Sequence, residues 1–309
     1  MISKSTPFDP IEFSVIIPLY NKEKSIISTI ESVLDQTYPK FELIIINDGS
    51  TDNSLKVAQS LNDYRIKILN KPNGGVSSAR NLGIEISQYQ FIVFLDADDL
   101  WLPYCLEEFC RLIIEFPDAE VFCTNYNMTG KNLKGSDRRY RVKDYFYTSA
   151  FYLAKWSIPI MITGCVSVRR SLFNKVGYFD QNITHGEDID MWLRLANISR
   201  IAKSEKVTTI YRTESENRAM LLDESLRIKP DGIEVKRDKS LSKSQKLYYG
   251  VQYVFDLKPF LLSGMNFGLI RKQAKYFDWI IKGAIFIIKV RILSIALSPF
   301  HQKENTCQQ

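Results

Sequence analysis

Apolar segments alternate with amphipathic stretches along the first 125 residues of the chain. Four apolar runs are rich in β-branched and aromatic residues and have the length of buried strands, at 13–17, 41–46, 65–69 and 91–95. Apolar residues recur at helical spacing in the stretches between and after these runs, at 24–36, 55–61, 76–86 and 103–116. This alternation predicts an α/β fold in which helices cover both faces of a parallel sheet.

The pattern is less regular after residue 125. Strands are predicted at 161–168 and 207–211, a helix at 188–198 and a loop at 131–143. Residues 214–245 are strongly polar, which is typical of a linker, and the chain from 247 onward has an amphipathic helical pattern. We therefore expect one domain with two halves, 1–125 and 126–220, followed by a linker and helical region at 221–309.

Three polar motifs directly follow predicted strands, namely PLYN at 18–21, NDGS at 47–50 and DADD at 96–99. The carboxyl ends of parallel strands lie at the same edge of a sheet, and ligands bind beyond that edge. The three motifs are therefore predicted to line one binding site.

The acidic motif, residues 96–99, carries three carboxylates within four positions. Carboxylates this close repel one another unless a cation is present, and Mg²⁺ or Mn²⁺ prefers carboxylate and phosphate oxygens. The motif is typical of a metal site that holds a diphosphate, although an acidic loop capping the next helix has the same composition.

One motif follows the second predicted strand, at 47–52, and another follows the third, at 73–81. Asp48 can accept a hydrogen bond from a nucleobase, and Asp52 can cap the next helix, although turn and cap chemistry alone also explains residues 47–52. In the segment NGGVSSARN at 73–81, the glycines allow close approach to a ligand and Arg80 can pair with phosphate. This spacing is neither GxGxxG nor a P-loop, and a glycine turn with a surface arginine is the alternative.

A further motif is HGED at 185–188, at the expected start of a helix. A carboxylate in this place can act as a general base, but acidic residues in a first helical turn also complement the helix dipole. His185 is a weak candidate metal ligand because no second histidine lies nearby in the sequence.

In this order, the motifs resemble those of the inverting family 2 glycosyltransferases with a GT-A fold. The resemblance rests on SVIIPLYN at 14–21, NDGSTD at 47–52, GVSSARNLG at 75–83, DADD at 96–99 and GEDIDMWLRL at 186–195. It implies a GT-A type nucleotide-binding sheet covered by helices on both faces, plus a helical C-terminal segment. Bacterial O-antigen and capsule enzymes of this family are similar to the chain in size.

The resemblance also implies roles for individual residues. It places Asp188 as the catalytic base, Glu187 and Trp192 on the acceptor side, and Mn²⁺ or Mg²⁺ on Asp98 with Asp99 close by. The donor, a nucleoside-diphosphate sugar and by family habit a UDP-sugar, would contact Pro18, Tyr20, Glu23, Asp48, Arg80, Asn81, Asp96 and Asp98.

The same resemblance implies the reaction. A hexosyl or N-acetylhexosaminyl group would pass with inversion to a hydroxyl of a glycan or polyprenyl-linked acceptor. Processive members carry a further Gln/Arg-x-x-Arg-Trp motif, which this sequence lacks, so transfer of a single sugar is expected.

The amino-acid composition argues against several other classes of protein. The chain has 309 residues, and its two histidines argue against a histidine-built zinc site or a Ser-His-Asp hydrolase. Its five cysteines form no CxxC pair, which favours free thiols in a reducing compartment. The first ten residues are polar and do not resemble a secretory signal, so a cytoplasmic location is expected.

Charge and hydrophobicity together point to a membrane surface. The net charge is +6, and residues 258–291 contain seven basic residues and one acidic residue between long apolar runs. This pattern favours the inner-membrane surface over nucleic acid and predicts peripheral association with the cytoplasmic face. Residues 280–297 are predicted to lie in the interface, with a membrane span or a helical subdomain packed on the core as alternatives.

Two other functions share part of this pattern. A sugar-nucleotide-forming nucleotidyltransferase has a similar sheet and metal site, but it requires a Gly-rich loop after the first strand, where this chain has PLYNK at 18–22. A catalytically silent, glycosyltransferase-like membrane scaffold is the other alternative, against which Asp98 and Asp188 argue.

Overall fold

The computed structural model describes residues 10–129, 161–183 and 187–216, and these residues belong to one compact unit. The predicted loop at 131–143, His185 and the predicted linker and helical regions beyond residue 216 lie outside the described residues. No helix within the described ranges is long and apolar enough to cross a membrane.

The described residues form one eight-stranded sheet with the strand order β3-β2-β1-β4-β7-β6-β8-β5. The first four of these strands are parallel, β7 is antiparallel to both β4 and β6, β8 is parallel to β6, and β5 is antiparallel to β8. The strands are β1 (Phe13–Leu19), β2 (Phe41–Asp48), β3 (Ile66–Lys71), β4 (Phe91–Phe94), β5 (Leu100–Trp101), β6 (Val121–Met128), β7 (Val166–Arg169) and β8 (Ile201–Tyr211). The prediction of a parallel sheet therefore holds for one half of the sheet, and the other half is mixed.

Six α-helices lie within the described ranges, and short 3₁₀ turns occur at Thr163–Cys165 and Arg170–Leu172. The α-helices are α1 (Ile26–Leu34), α2 (Ser54–Gln59), α3 (Gly75–Ile86), α4 (Cys105–Glu115), α5 (Phe173–Val176) and α6 (Glu187–Ile198). All five predicted helices among them are present. The strand predicted at 161–168 is wrong in its first half, since 163–165 is a 3₁₀ turn.

The core lies on both faces of the central strands, and every residue of β1 and β2 is buried. On one face, Ile26, Ile30 and Phe109 of α1 and α4 pack with β1. On the other face, Gly83 brings α3 against β1, because a Cβ atom at that position would lie 2.5 Å from Cγ2 of Ile16. Helices on both faces, as predicted, leave the carboxyl edge of the sheet to the polar motifs.

Strand β6 runs across the predicted boundary between residues 125 and 126. It pairs with β7 on one side and β8 on the other, so both predicted halves contribute to one sheet. Only the first four residues of β6 are buried, and the last four are partly exposed. This change of burial within one strand explains why its hydrophobic pattern did not predict it.

Candidate functional site

A cavity of about 420 Å³ opens at the carboxyl ends of β1, β2 and β4. The three polar motifs that follow these strands all contribute to it, so the predicted common edge is present. Its walls include Pro18, Leu19, Tyr20, Lys22, Asp48, Asn73, Gly75, Val76, Ala79, Arg80, Asp96, Ala97, Asp98, Glu187 and Tyr211.

The loop after β1 is fixed to the loop after β2. Asn21 has a positive φ of 50°, and its amide donates to the hydroxyl of Ser50 at 3.1 Å. Its side-chain oxygen accepts a 2.8 Å hydrogen bond from the amide of Thr51. This arrangement leaves the Tyr20 ring 40% exposed beside the cavity, where it can stack on a planar group.

Asp48 is buried at the end of β2 and joins this strand to α3. Its two carboxylate oxygens accept hydrogen bonds from the amides of Gly74 at 2.9 Å and Gly75 at 2.8 Å, and Lys71 forms an ion pair with it. Gly75 has a φ of +84°, which favours glycine at this turn. Asp48 therefore shapes the cavity wall through the backbone of the glycine loop.

The three acidic residues of the acidic motif have different surroundings. Asp96 pairs with Arg80 at 2.8 Å, and burial, opposed by this arginine, raises the pKa of Asp96. Oδ2 of Asp98 accepts from Nζ of Lys22 at 2.7 Å and from the hydroxyl of Ser215 at 2.6 Å. Asp99 is only 1% exposed, and burial raises its pKa well above the ordinary value.

Arg80 of α3 lies between two carboxylates. Its Nη1 lies 2.8 Å from Oε1 of Glu187, and its Nη2 lies 2.8 Å from Oδ1 of Asp96. Burial works against its charge, but the carboxylates of Asp96, Glu187 and Asp188 outweigh burial and raise the pKa of Arg80. The acidic start of α6 is thereby joined to the end of β4.

Three predicted site residues lie away from the cavity wall. Glu23, predicted to contact the donor, accepts hydrogen bonds from the amide and side chain of Asn53 at 2.9 and 3.1 Å. Asn81, also predicted near the donor, is buried and exchanges two 2.9 Å hydrogen bonds with the backbone of Phe179. Trp192 is fully buried, so any influence on the acceptor side acts through the position of α6.

Two acidic residues with predicted roles, Asp188 and Asp99, also lie outside the cavity lining. Asp188 does not line the cavity, although its charge acts on Arg80, whereas its neighbour Glu187 does line it. Asp99 is behind the wall, where its Oδ1 accepts a 3.0 Å hydrogen bond from the amide of Arg212. Asp52, predicted as a helix cap, accepts a 2.9 Å hydrogen bond from the amide of Ser54, the first residue of α2, while the residue directly before the helix is Asn53.

Lys22 and the segment after β8 were not among the predicted site residues. The guanidinium of Arg212 donates to the hydroxyls of Ser28 and Thr29, both at 2.9 Å, and also to the carbonyl oxygen of Asp98. Lys22 directly follows the first polar motif, so its position in the sequence could have identified it as a site residue. Arg212 followed a predicted strand but belonged to none of the quoted motifs.

A divalent cation at this site would have to be held jointly with a phosphorylated ligand. Among the described residues, no three His, Cys, Asp or Glu side chains gather into a complete ligand set. Magnesium commonly takes one or two carboxylates and completes its shell with water and substrate phosphates. Asp98 faces the cavity and can supply such a ligand, whereas the buried carboxylate of Asp99 is turned toward Arg212.

Comparison with known sequences agrees with this geometry. Residues 14–177 match the family described as Glycosyl transferase family 2. An uncharacterized glycosyltransferase of Rickettsia typhi is 32% identical over 206 residues, covering 64% of this chain and 62% of that protein. The hyaluronan synthase of Pasteurella multocida is 29% identical over 305 residues, covering 93% of this chain but 28% of the synthase.

The solved structures agree on the fold. The structure of S. aureus TarS 1–349 in complex with UDP-GlcNAc superposes with a TM-score of 0.63 at 20% identity, covering 91% of this chain and 82% of that chain. The chain spans less than two thirds of the R. typhi protein. The family match covers more than half of the chain, so the protein belongs to glycosyl transferase family 2 and has the GT-A fold.

Proposed function

We propose that this protein transfers one sugar from a nucleoside-diphosphate sugar, with a UDP-sugar as the expected donor, to an acceptor hydroxyl with inversion. One observation carries this proposal. A single cavity brings together an exposed aromatic ring at Tyr20, the carboxylates of Asp48 and Asp98, and the acidic first turn of α6. An aromatic platform and a carboxylate at a strand end suit a nucleobase and a cation-bound diphosphate, respectively.

Donor binding is assigned to the walls formed by the loops after β1, β2 and β4. Pro18 and Tyr20 would enclose the base, and Asp48 would hold the glycine loop beside it. Asp98 would hold Mn²⁺ or Mg²⁺, which when bound neutralises charge on the departing diphosphate. Lys22 lies 2.7 Å from Asp98 and, once the cation displaces it from this carboxylate, would add a second positive charge near the diphosphate.

Transfer is assigned to the acidic start of α6. In the proposed step Asp188 accepts the proton of the acceptor hydroxyl. The hydroxyl oxygen forms a bond to the anomeric carbon from the side opposite the diphosphate, and the bond from that carbon to the diphosphate oxygen breaks. Attack from the opposite side inverts the configuration.

The proposed acceptor is a glycan on a polyprenyl-linked lipid at the cytoplasmic face of the membrane, in surface polysaccharide synthesis. The interleaved basic and apolar residues at 258–291 support an anionic membrane surface as a partner. The similarity to a protein named hyaluronan synthase supports polysaccharide as the class of product.

Ligand-induced stabilisation tests the first part of the proposal. The melting temperature is measured with UDP, GDP, dTDP and CDP and with the four corresponding triphosphates, with and without Mn²⁺. We expect one diphosphate, UDP first, to raise it in a Mn²⁺-dependent way. Preference for a nucleoside triphosphate would indicate a nucleotidyltransferase, and no stabilisation by any nucleotide would indicate a silent scaffold.

Turnover tests the second part. Sugar nucleotides are incubated with membrane lipid extract, and release of free nucleoside diphosphate is followed. Asp188→Asn should bind donor normally and lose at least about 100-fold in turnover, the usual contribution of a general base. Full turnover in this variant would show that another group removes the proton.

A further inference from the structure

The guanidinium of Arg80 is closed off from solvent and already carries two ion pairs. It is 3% exposed, and it contacts Asp96 through one terminal nitrogen and Glu187 through the other, each at 2.8 Å. Its Nε is buried without a hydrogen-bond partner among the described residues. The two carboxylates therefore account for its short polar contacts, apart from a 3.5 Å approach to the hydroxyl of Thr163.

These contacts join three separate elements. Arg80 belongs to α3, Asp96 follows β4, and Glu187 is the first residue of α6. The charge of Glu187 also acts on Asp96, so the arginine separates two carboxylates that would otherwise repel one another. Removing it would push the start of α6 away from the end of β4.

The rest of α6 is held independently of Arg80. The guanidinium of Arg194 donates to the carbonyl oxygens of Val176 at 2.8 Å and Tyr178 at 3.0 Å. Trp192 is fully buried with its ring centroid 6.2 Å from that of Phe94. Loss of Arg80 should therefore loosen the first turn while the middle of the helix stays packed.

We propose that Arg80 is a positioning residue that holds the first turn of α6, and with it Asp188, in place through Glu187, and that it is not the cation that binds the diphosphate. This inference rests on the proposed function for the role of Asp188. A guanidinium balanced by two carboxylates has little net charge left for a phosphate. Correct placement of a catalytic group has a large effect on rate, since an error of about 1 Å can cost about 100-fold.

The test compares Arg80→Gln and Glu187→Gln with a matched control. Arg111→Gln removes an arginine that likewise bridges two carboxylates, Glu108 and Glu115, each at 2.5 Å on α4, away from the cavity. Hydrogen exchange is followed in peptides covering 187–195. We expect faster exchange near residue 187 in both test variants and wild-type exchange in Arg111→Gln.

Binding and turnover separate positioning from direct contact. UDP, GDP, dTDP and CDP serve as probes with Mn²⁺. In Arg80→Gln we expect diphosphate Kd within about threefold of wild type and kcat about 100-fold lower. The double variant Arg80→Gln with Glu187→Gln should be no worse than either single variant, because both remove the same bridge.

Unchanged exchange near residue 187, or a Kd more than about tenfold weaker with unchanged kcat, would overturn the inference. The exchange result decides it even if the wild-type protein transfers no sugar, an outcome that would refute the proposed function alone. If Arg80→Gln does not fold, Glu187→Gln carries the test, since it removes one end of the bridge and keeps the arginine paired with Asp96.

Discussion

The ammonium group of Lys22 lies 2.7 Å from Oδ2 of Asp98, with the two side chains only 11% and 16% exposed. Lys22 also donates to the backbone oxygen of Glu216. The carboxylate proposed to hold the metal thus already has a cationic partner within the protein. Lys22 and a divalent cation are expected to compete for Asp98, and binding of the cation should require Lys22 to shift.

Substituting Lys22 by methionine removes this competition while keeping a long apolar stem. We expect Lys22→Met to bind Mn²⁺ at least about fivefold more tightly in the absence of nucleotide, because ~1 kcal/mol is the upper end for exposed ion pairs and this pair is largely buried. Titration with Mn²⁺ followed by electron paramagnetic resonance measures this affinity directly. Lys24→Met, two residues along, is the control, and equal or weaker Mn²⁺ binding in Lys22→Met would contradict the expected competition.

Asn81 clamps the loop before α6 rather than facing the cavity. Its side chain exchanges two hydrogen bonds, both 2.9 Å, with the amide and carbonyl of Phe179. Asn81→Ala leaves both buried backbone groups unpaired, which should lower the free energy of unfolding by about 2–4 kcal/mol. Urea denaturation measures the loss, and the Kd for nucleoside diphosphate should stay within about twofold of wild type, since Asn81 does not line the cavity.

Asn53→Ala is the matched control for this prediction, because its amide donates to Glu23 on the exposed surface. It should change the free energy of unfolding by less than ~0.5 kcal/mol. If Asn81→Ala had wild-type stability and bound diphosphate more than tenfold more weakly, Asn81 would instead be assigned to donor binding.

Glu42 gives the protein a pH-dependent contribution to stability at the edge of the sheet opposite the cavity. Although burial opposes it, hydrogen bonds from Lys67 and Ser14 lower the pKa of Glu42 below its ordinary value of 4.5. The pKa is lowered in the folded state, so this contribution is present above about pH 4.5 and is lost as the pH falls through the folded value.

Glu42→Gln should therefore reduce the free energy of unfolding by about 1.5–3 kcal/mol near neutral pH, the range for hydrogen bonds to a charged group. The difference from wild type should shrink as the pH falls below about 4.5, where the wild-type carboxylate takes up its proton. Urea denaturation near neutral pH and at a pH below about 4.5 measures this difference in the free energy of unfolding. Glu31→Gln, at an exposed position, is the control. A difference that grows toward acid pH would contradict the sign.

Helices and strands with one clear hydrophobic period were predicted from the sequence, and strands without such a period were missed. Strands β1 and β2 are buried along their whole length, so their unbroken apolar runs marked them. Strand β6 is buried only in its first half, and β5 has two residues, so neither shows a hydrophobic pattern typical of a strand. The order of β7, β6 and β8 in the sheet depends on long-range pairing, which local patterns do not encode.

The site was predicted with the same limits. Motifs at strand ends placed Asp48, Asp96 and Asp98 at one edge because parallel topology alone brings them together. The directions of side chains were not available from spacing. Asn81 lies within a predicted motif and Glu23 lies two residues after one, yet they turn to the backbone of Phe179 and to Asn53. Lys22, next to Glu23, turns inward to Asp98.

Asp98 and Asp99 are neighbours in sequence, but only Asp98 faces the cavity. Asp98→Asn should abolish Mn²⁺-dependent stabilisation by nucleoside diphosphate, because a neutral amide is a poor ligand for a hard cation. Asp99→Asn should keep that stabilisation, since burial already disfavours the charge of Asp99 and an amide oxygen can still accept from Arg212. Melting temperatures with diphosphate, with and without Mn²⁺, distinguish the two variants. If Asp99→Asn lost the Mn²⁺ effect and Asp98→Asn kept it, the assignment of the metal ligand would be reversed.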